Sequence, residues 1–164
     1  MAPKMRIGLL IDSLVGGGAE RMALNFAEGF RDLGHEAHLF ILRNEVEHDP
    51  QGVPLHVVSE DGQLSGWRPL NKLLLARALK RAVAKVEADG KTFDFFISNA
   101  EDMDRISRLA RLPWVFIRYR NSLREFIQAK IGNTHGLKRQ IRSWRWLRKF
   151  RQIYGGQHIV AIST

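Results

Sequence analysis

Gly16-Gly17-Gly18-Ala19-Glu20-Arg21 stands between an apolar run at residues 5–11 and a stretch whose apolar residues recur at helical spacing. Three adjacent glycines where a strand becomes a helix let the backbone approach a ligand closely. The helix start adds unpaired N–H groups and the positive end of its dipole. Together these features make an anion site. Phosphate or diphosphate is the anion expected, because doubly wound α/β proteins hold phosphorylated ligands with this strand, loop and helix arrangement.

Departures from the common phosphate loops narrow the reading. A Walker loop needs Gly-Lys-Ser or Gly-Lys-Thr after the turn, and Ala19-Glu20-Arg21 supplies neither. Gly16 and Gly18 fit the first two glycines of the dinucleotide fingerprint, but the third position falls on Arg21. A kinase and a standard NAD enzyme are therefore disfavoured. The alternative is a glycine turn that only joins strand to helix, for which three adjacent glycines are more than the geometry needs.

Outward from the loop, the pattern alternates between strands and helices. The first helix repeats apolar residues at Ala19, Met22, Ala23, Phe26, Ala27, Phe30 and Leu33, and Gly34 ends it. Strands are predicted at residues 35–42 and 55–58, with a helix after Pro69 whose stripe is Leu75, Leu79, Ala82, Val83 and Val86. Asp89-Gly90 closes that helix. A strand at 93–98, a helix at 102–110 and a strand at 113–119 follow. Beyond them come a short helix at 123–131, a long one at 137–154 and a last strand at 157–163. Repeated βα units with near-continuous apolar strands predict an α/β, Rossmann-like, doubly wound and mainly parallel sheet with helices on both faces. Ligands bind such sheets at the carboxyl ends of the strands, where residues 14–18, 99–102 and 118–121 fall.

Composition fits one domain over residues 1–164, since 45% hydrophobic content suffices for a proper core. Cysteine is absent, which leaves no disulfide framework and no thiolate metal site. The six histidines show no metal-ligand spacing. The first apolar stretch is seven residues long and is cut by Asp12, too short for a membrane span. A soluble, cytoplasmic protein is expected. Its charge is uneven: residues 118–151 hold eleven Lys or Arg against the single acid Glu125, whereas the other residues are nearly balanced at 15 against 16. That confinement points to a polyanionic partner: a membrane surface, a phosphorylated glycolipid or nucleic acid.

The segment from Lys4-Met5-Arg6-Ile7 through the glycine run, with Asn25-Phe26-Ala27 and Gly34-His35-Glu36, resembles the start of a glycosyltransferase family 4 enzyme. His158-Ile159-Val160-Ala161-Ile162-Ser163 is similar to the strand with which that family leaves its N-terminal domain. The resemblance implies one half of a GT-B fold, in which two Rossmann-like domains face each other across a cleft. It implies sugar transfer with retention, generally without a metal. The acceptor would lie mostly on this half, and the nucleotide-sugar donor, UDP- or GDP-linked, on a C-terminal domain outside this chain. The donor is a substrate, and no cofactor is implied. The half alone is expected to be inactive, and its implied partners are that second domain and a glycan or glycolipid acceptor. Such an acceptor would be lipid-linked or phosphorylated, as in lipopolysaccharide core or a related envelope glycan.

Carried over residue by residue, Gly16, Gly17 and Gly18 match the family's glycine loop, which lies against donor diphosphate and acceptor when the domains close. Glu20 matches its acidic position, with plain helix capping as the alternative. Where many members carry His-Asn after the fifth strand, this chain has Arg120-Asn121. A guanidinium stays protonated and cannot act as a base, but it can clamp a phosphate or carboxylate, joined here by Arg118 on the same strand face. Solvated arginines at a strand end are the alternative. Asn99 lies at the same edge, where Glu101, Asp102 and Asp104 open a helix. Capping accounts for these acids, with a sugar-hydroxyl contact from Asp102 as the alternative. His35, at a turn on the opposite side, is expected to be structural.

The long helix carries Leu137, Ile141, Trp144, Leu147, Phe150 and Tyr154 at helical spacing, with Lys138, Arg139, Arg142, Arg145, Lys149 and Arg151 mostly on its other faces. The apolar stripe is expected to pack on the sheet, leaving the basic face and Trp146 toward acceptor or an anionic membrane surface, as in a peripheral protein of the inner membrane face. Two other readings stay open. One is a nucleic-acid-binding module built on the basic segment, disfavoured because it lacks a known motif and leaves the glycine run unexplained. The other is a stand-alone nucleotide-binding regulatory domain.

Overall fold

A computed structural model describes residues 3–119 and 137–161. Six parallel strands form one sheet: β1 (Arg6–Ile11), β2 (Glu36–Arg43), β3 (Leu55–Ser59), β4 (Phe95–Ser98), β5 (Val115–Tyr119) and β6 (His158–Ala161). Their order, β3-β2-β1-β4-β5-β6, places the crossover reversal between β1 and β4. That is where ligands settle in doubly wound sheets. The helices are α1 (Gly18–Asp32), α2 (Arg68–Val86), α3 (Glu101–Ala110) and α4 (Leu137–Tyr154). Strands and helices agree with the sequence pattern to within about two residues at each end. The helix expected at 123–131 lies outside the described residues, as do Arg120 and Asn121.

Alternation along the central strands splits the core in two. Leu9, Ile11, Leu39 and Ile41 pack against α1, whereas Leu10, Phe40 and Phe96 face α2 and α3. The buried contacts of α1 are Ala19, Ala23 and Ala27, so the helix sits close to the sheet. Gly8 has its own packing reason, because a Cβ there would come within 2.3 Å of the buried Phe96 ring.

Two expectations of packing fail. Leu33, read as the end of the α1 stripe, is 74% exposed at the C-cap, because Gly34 at φ 83° turns the chain away first. Among the described side chains of the α4 apolar stripe, only those at its end pack. Tyr154 is buried and Phe150 lies against the core, but Ile141, Trp144 and Leu147 are exposed, with Trp144 at 61%. Helical spacing tells which residues share a face, not how far the sheet and α3 extend beneath them.

Candidate functional site

The glycine run sits at the carboxyl end of β1 and is held from the side. Gly16 is at φ 103°, a conformation that calls for glycine, and Gly17 is the N-cap of α1 at φ −103°, ψ −133°. Gly18 opens the helix, and a Cβ on it, as on Gly16 and Gly17, would meet nothing within 4 Å. No contact within the fold explains glycine at position 18. The N-cap offers no side chain, and Glu20 is the acid of the first turn. The strand-to-loop segment is tied down by Leu14, whose N–H donates to the Glu45 carbonyl at 2.9 Å and whose carbonyl accepts from Glu47 and His48. His48 Nε2 lies 2.8 Å from the Gly16 carbonyl oxygen. A carbonyl only accepts, so this contact selects the Nε2–H form of the ring. Sequence reasoning missed His48, because no local spacing signals a contact 32 residues away.

Asn99 and Arg118 share the face of the sheet that carries α1. Alternation places Phe95 and Ile97 of β4 there, with Asn99 just past its end, and Phe116 and Arg118 of β5. Asn99 is 4% exposed, its N–H donates to the Leu10 carbonyl at 2.9 Å, and neither atom of its side-chain amide has a hydrogen-bond partner. A buried amide with both ends unmet costs about 1–3 kcal/mol per group, which marks a place where a polar ligand group or water belongs. The Arg118 guanidinium lies 5.7 Å from the centre of the Phe26 ring, at one end of an apolar hollow of about 320 Å³ lined by Phe26, Phe95, Ile97, Phe116 and Val160. The glycine loop and Asn99 thus lie at the carboxyl edge of the sheet, and Arg118 lies on the α1 face beside Phe26.

Asp102 does not join them. Its carboxylate turns toward α2, with Lys72 Nζ at 3.9 Å from Oδ1. The capping role expected of the α3 acids also moves elsewhere. Asp12, at the end of β1, accepts the N–H of Met103 at 3.2 Å and so caps α3 from another strand. Ala100 is the N-cap and has no capping side chain, Glu101 pairs with Arg105 one turn on, and Asp104 is buried, accepting from the Tyr154 hydroxyl at 3.2 Å. Burial and the nearby Asp102 charge push the Asp12 carboxyl up to about 6, against the pull of Arg43. Burial likewise pushes Asp104 up to about 6, opposed by Ser98 and Tyr154 and reinforced by Asp12. In both carboxyls burial is the largest cause of the rise.

The basic residues named on α4 divide. Arg142, Arg145 and Trp146 line a cavity of about 760 Å³ together with Trp144, Arg148 and Gln152, and the Arg148 guanidinium lies 5.7 Å from the Trp144 ring centre. The side chains of Lys138, Arg139 and Lys149 lie outside what the structure describes. His35 is structural as expected, since its Nδ1 accepts the Met5 N–H at 3.3 Å. Among the described residues, no helix is long and apolar enough to cross a membrane.

A crystal structure of MurG from Acinetobacter baumannii is similar in fold, with a TM-score of 0.53 at 16% identity over 87% of this chain. The chain spans 39% of the length of that relative. No curated protein sequence matches it. The family model described as Glycosyltransferase Family 4 matches residues 16–164, beginning at the first glycine of the loop. With a sheet ordered around a switch point and a glycine loop, Asn99 and Arg118 at its carboxyl edge, the chain belongs to glycosyltransferase family 4.

Proposed function

We propose that this chain is the acceptor-binding half of a retaining hexosyltransferase that moves a sugar from a UDP- or GDP-linked donor to a lipid-linked or phosphorylated glycan. Lipopolysaccharide core or a related envelope polymer fits that description. The observation that carries the reading is the placement of the glycine loop and the orphaned Asn99 amide at the carboxyl edge of the sheet, with Arg118 on its α1 face, in a family 4 chain. Backbone N–H groups of the α1 start and the Arg118 guanidinium bind an oxyanion, and the Asn99 amide takes a hydroxyl. Glu20 fixes the loop, and Arg120 and Asn121, next after β5 in the sequence, are the residues that act at the reacting centre. The donor belongs to a second domain that closes over this edge, so the half alone gives no turnover.

Binding by the 164-residue chain tests this reading. A phosphorylated core oligosaccharide is expected to bind saturably, nucleotide-sugars poorly, and a short DNA not at all at moderate salt. Gly18→Ala separates function from folding. It stabilises the α1 start by up to about 0.5 kcal/mol yet weakens oligosaccharide binding about tenfold, or 1.4 kcal/mol. Tight nucleotide binding, or DNA binding alone, overturns the class. So does an unchanged affinity in the Gly18 variant together with unchanged affinity in Asn99→Ala.

Exposed Ile141, Trp144 and Leu147 beside Arg142, Arg145 and Arg148 support a peripheral membrane role for α4 on the inner face of the cytoplasmic membrane. Each basic residue near an anionic surface contributes about 1 kcal/mol. The chain is therefore expected to sediment with phosphatidylglycerol vesicles at low salt and not with zwitterionic ones. Arg142→Glu with Arg145→Glu should abolish the binding, and retention by that double variant would remove α4 from the contact.

A further inference from the structure

A second cavity, of about 340 Å³, opens at the same sheet edge on the α2 side, between the end of β2, the loop before α2, and α3. Its charged lining is Arg43, Arg68 and Lys72 against Asp61 and Asp102. The cavity is built. Asn71 Oδ1 accepts the N–H groups of Leu64 and Ser65 at 2.6 and 3.0 Å, and its Nδ2 donates to the Gly62 carbonyl at 3.1 Å. Gly62, at φ 74°, leaves room for Arg43, whose Cγ would lie 2.8 Å from a Cβ there. One side chain thus staples the loop, and one glycine seats the arginine.

Its charges suit an anionic sugar. Arg68 and Lys72 stand on the first two turns of α2, a helix with no acid in its first turn, so these cations meet the positive end of the dipole. Lys72 reaches toward Asp102 at 3.9 Å, and Arg43 Nε lies 3.5 Å from Glu45. Arg43 and Lys72 thus have acidic neighbours already, whereas Arg68 makes no ion pair among the described residues, and a bound oxyanion supplies it one. The carboxylates accept sugar hydroxyls, with Asp61 Oδ1 also accepting the Gln63 N–H at 2.8 Å. The Arg43 N–H donates to the Asp12 carbonyl at 2.9 Å, so the cavity adjoins the carboxyl end of β1, from which the glycine loop departs.

We infer that this cavity is the subsite for a negatively charged sugar of the acceptor, its phosphate monoester or carboxylate held by Arg43, Arg68 and Lys72 and its hydroxyls by Asp61 and Asp102. The inference rests on the acceptor reading above and adds a second point of attachment, separate from the glycine loop. The sugar-hydroxyl contact of Asp102 then belongs to this subsite.

Backbone amide shifts of the isotopically labelled chain, titrated with glucose 6-phosphate, glucuronate, glucose and inorganic phosphate, test it. The two acidic sugars should shift the amides of Gln63, Ser65 and Arg68 saturably, the tighter one identifying the substituent. Glucose should not, and inorganic phosphate should bind at least about tenfold more weakly than the sugar phosphate. Arg68→Ala with Lys72→Ala should weaken the acidic sugar about tenfold or more while leaving shifts at Gly16–Gly18 in place. Shifts confined to the glycine loop overturn this subsite and leave the acceptor reading standing. Equal binding of phosphate and sugar phosphate overturns the sugar, and undiminished binding by the double variant overturns the cationic cradle.

Discussion

Arg6→Ala is expected to lower the unfolding free energy by about 2 kcal/mol, the scale for losing hydrogen bonds to charged groups whose carboxylates remain in reach of water, measured by denaturant melts at neutral pH. Arg6 is buried at the start of β1, and its guanidinium joins three parts of the chain. It donates to Asp89 Oδ1 and Oδ2 at 2.9 and 2.5 Å, to the Lys91 carbonyl at 2.7 Å, and pairs with Glu36 Oε1 at 2.8 Å. The backbone N–H of the same residue donates to Asp94 at 2.7 Å. These bonds fix the amino ends of β1 and β2 to the connection from α2 into β4, at the edge opposite the ligand site. Such a clasp keeps β1 and β4 in register, and β1 and β4 carry the glycine loop and Asn99.

The pH dependence of that clasp has a definite sign. Arg6 holds the Asp89 carboxyl well below its usual range, and His38 with Arg6 lowers Glu36 as well. Both carboxyls are depressed in the folded state, so their contribution is present above the ordinary carboxylate range and is lost as pH falls through the folded values. The difference between wild type and Arg6→Ala should therefore shrink in strong acid. A difference that stays constant down to pH ~2 would assign Arg6 to packing against Phe93, 5.8 Å from its guanidinium carbon, and not to its charge.

What was legible in the sequence follows from which physics is local. The run at 5–11 reads as a buried parallel strand because it is apolar on both faces, and Gly34 and Gly90 mark turns because their φ values, 83° and 84°, suit glycine. The glycine loop is legible for the same reason. Contacts across the fold leave no such trace. Asp12 caps α3 across 91 residues, and Arg6 reaches Asp89 across 83, so composition near either partner does not announce the pair. The acids at 101, 102 and 104 fit a capping role by composition, yet the cap came from β1 because strand and helix start adjoin at the switch point. The α4 stripe was read correctly as one face, but the tertiary support beneath it is not a property of its spacing.

Asp104→Asn should raise stability at pH 7 by about 2 kcal/mol and leave it unchanged near pH 4. The Asp104 carboxyl is buried beneath α3, its Oδ2 accepting the Tyr154 hydroxyl, and it titrates at about 6 in the folded chain against 3.8 as the ordinary value. A raised value means that the folded state binds the proton more readily than the unfolded one. Stability therefore falls as pH rises from about 4 to about 6, and the cost is complete by pH 7. Asparagine keeps an acceptor for Tyr154 and never ionises, so it escapes that cost. Part of the penalty comes from Asp12, so the substitution should also lower the titration of Asp12, read by carboxyl carbon shifts. A gain at pH 7 that persists at pH 4 would assign the effect to repacking and defeat the titration argument. An unfavourable buried charge kept at this position has a counterpart in Asp12, which caps α3 and, through its carbonyl, holds the Arg43 backbone at the mouth of the anionic-sugar cavity.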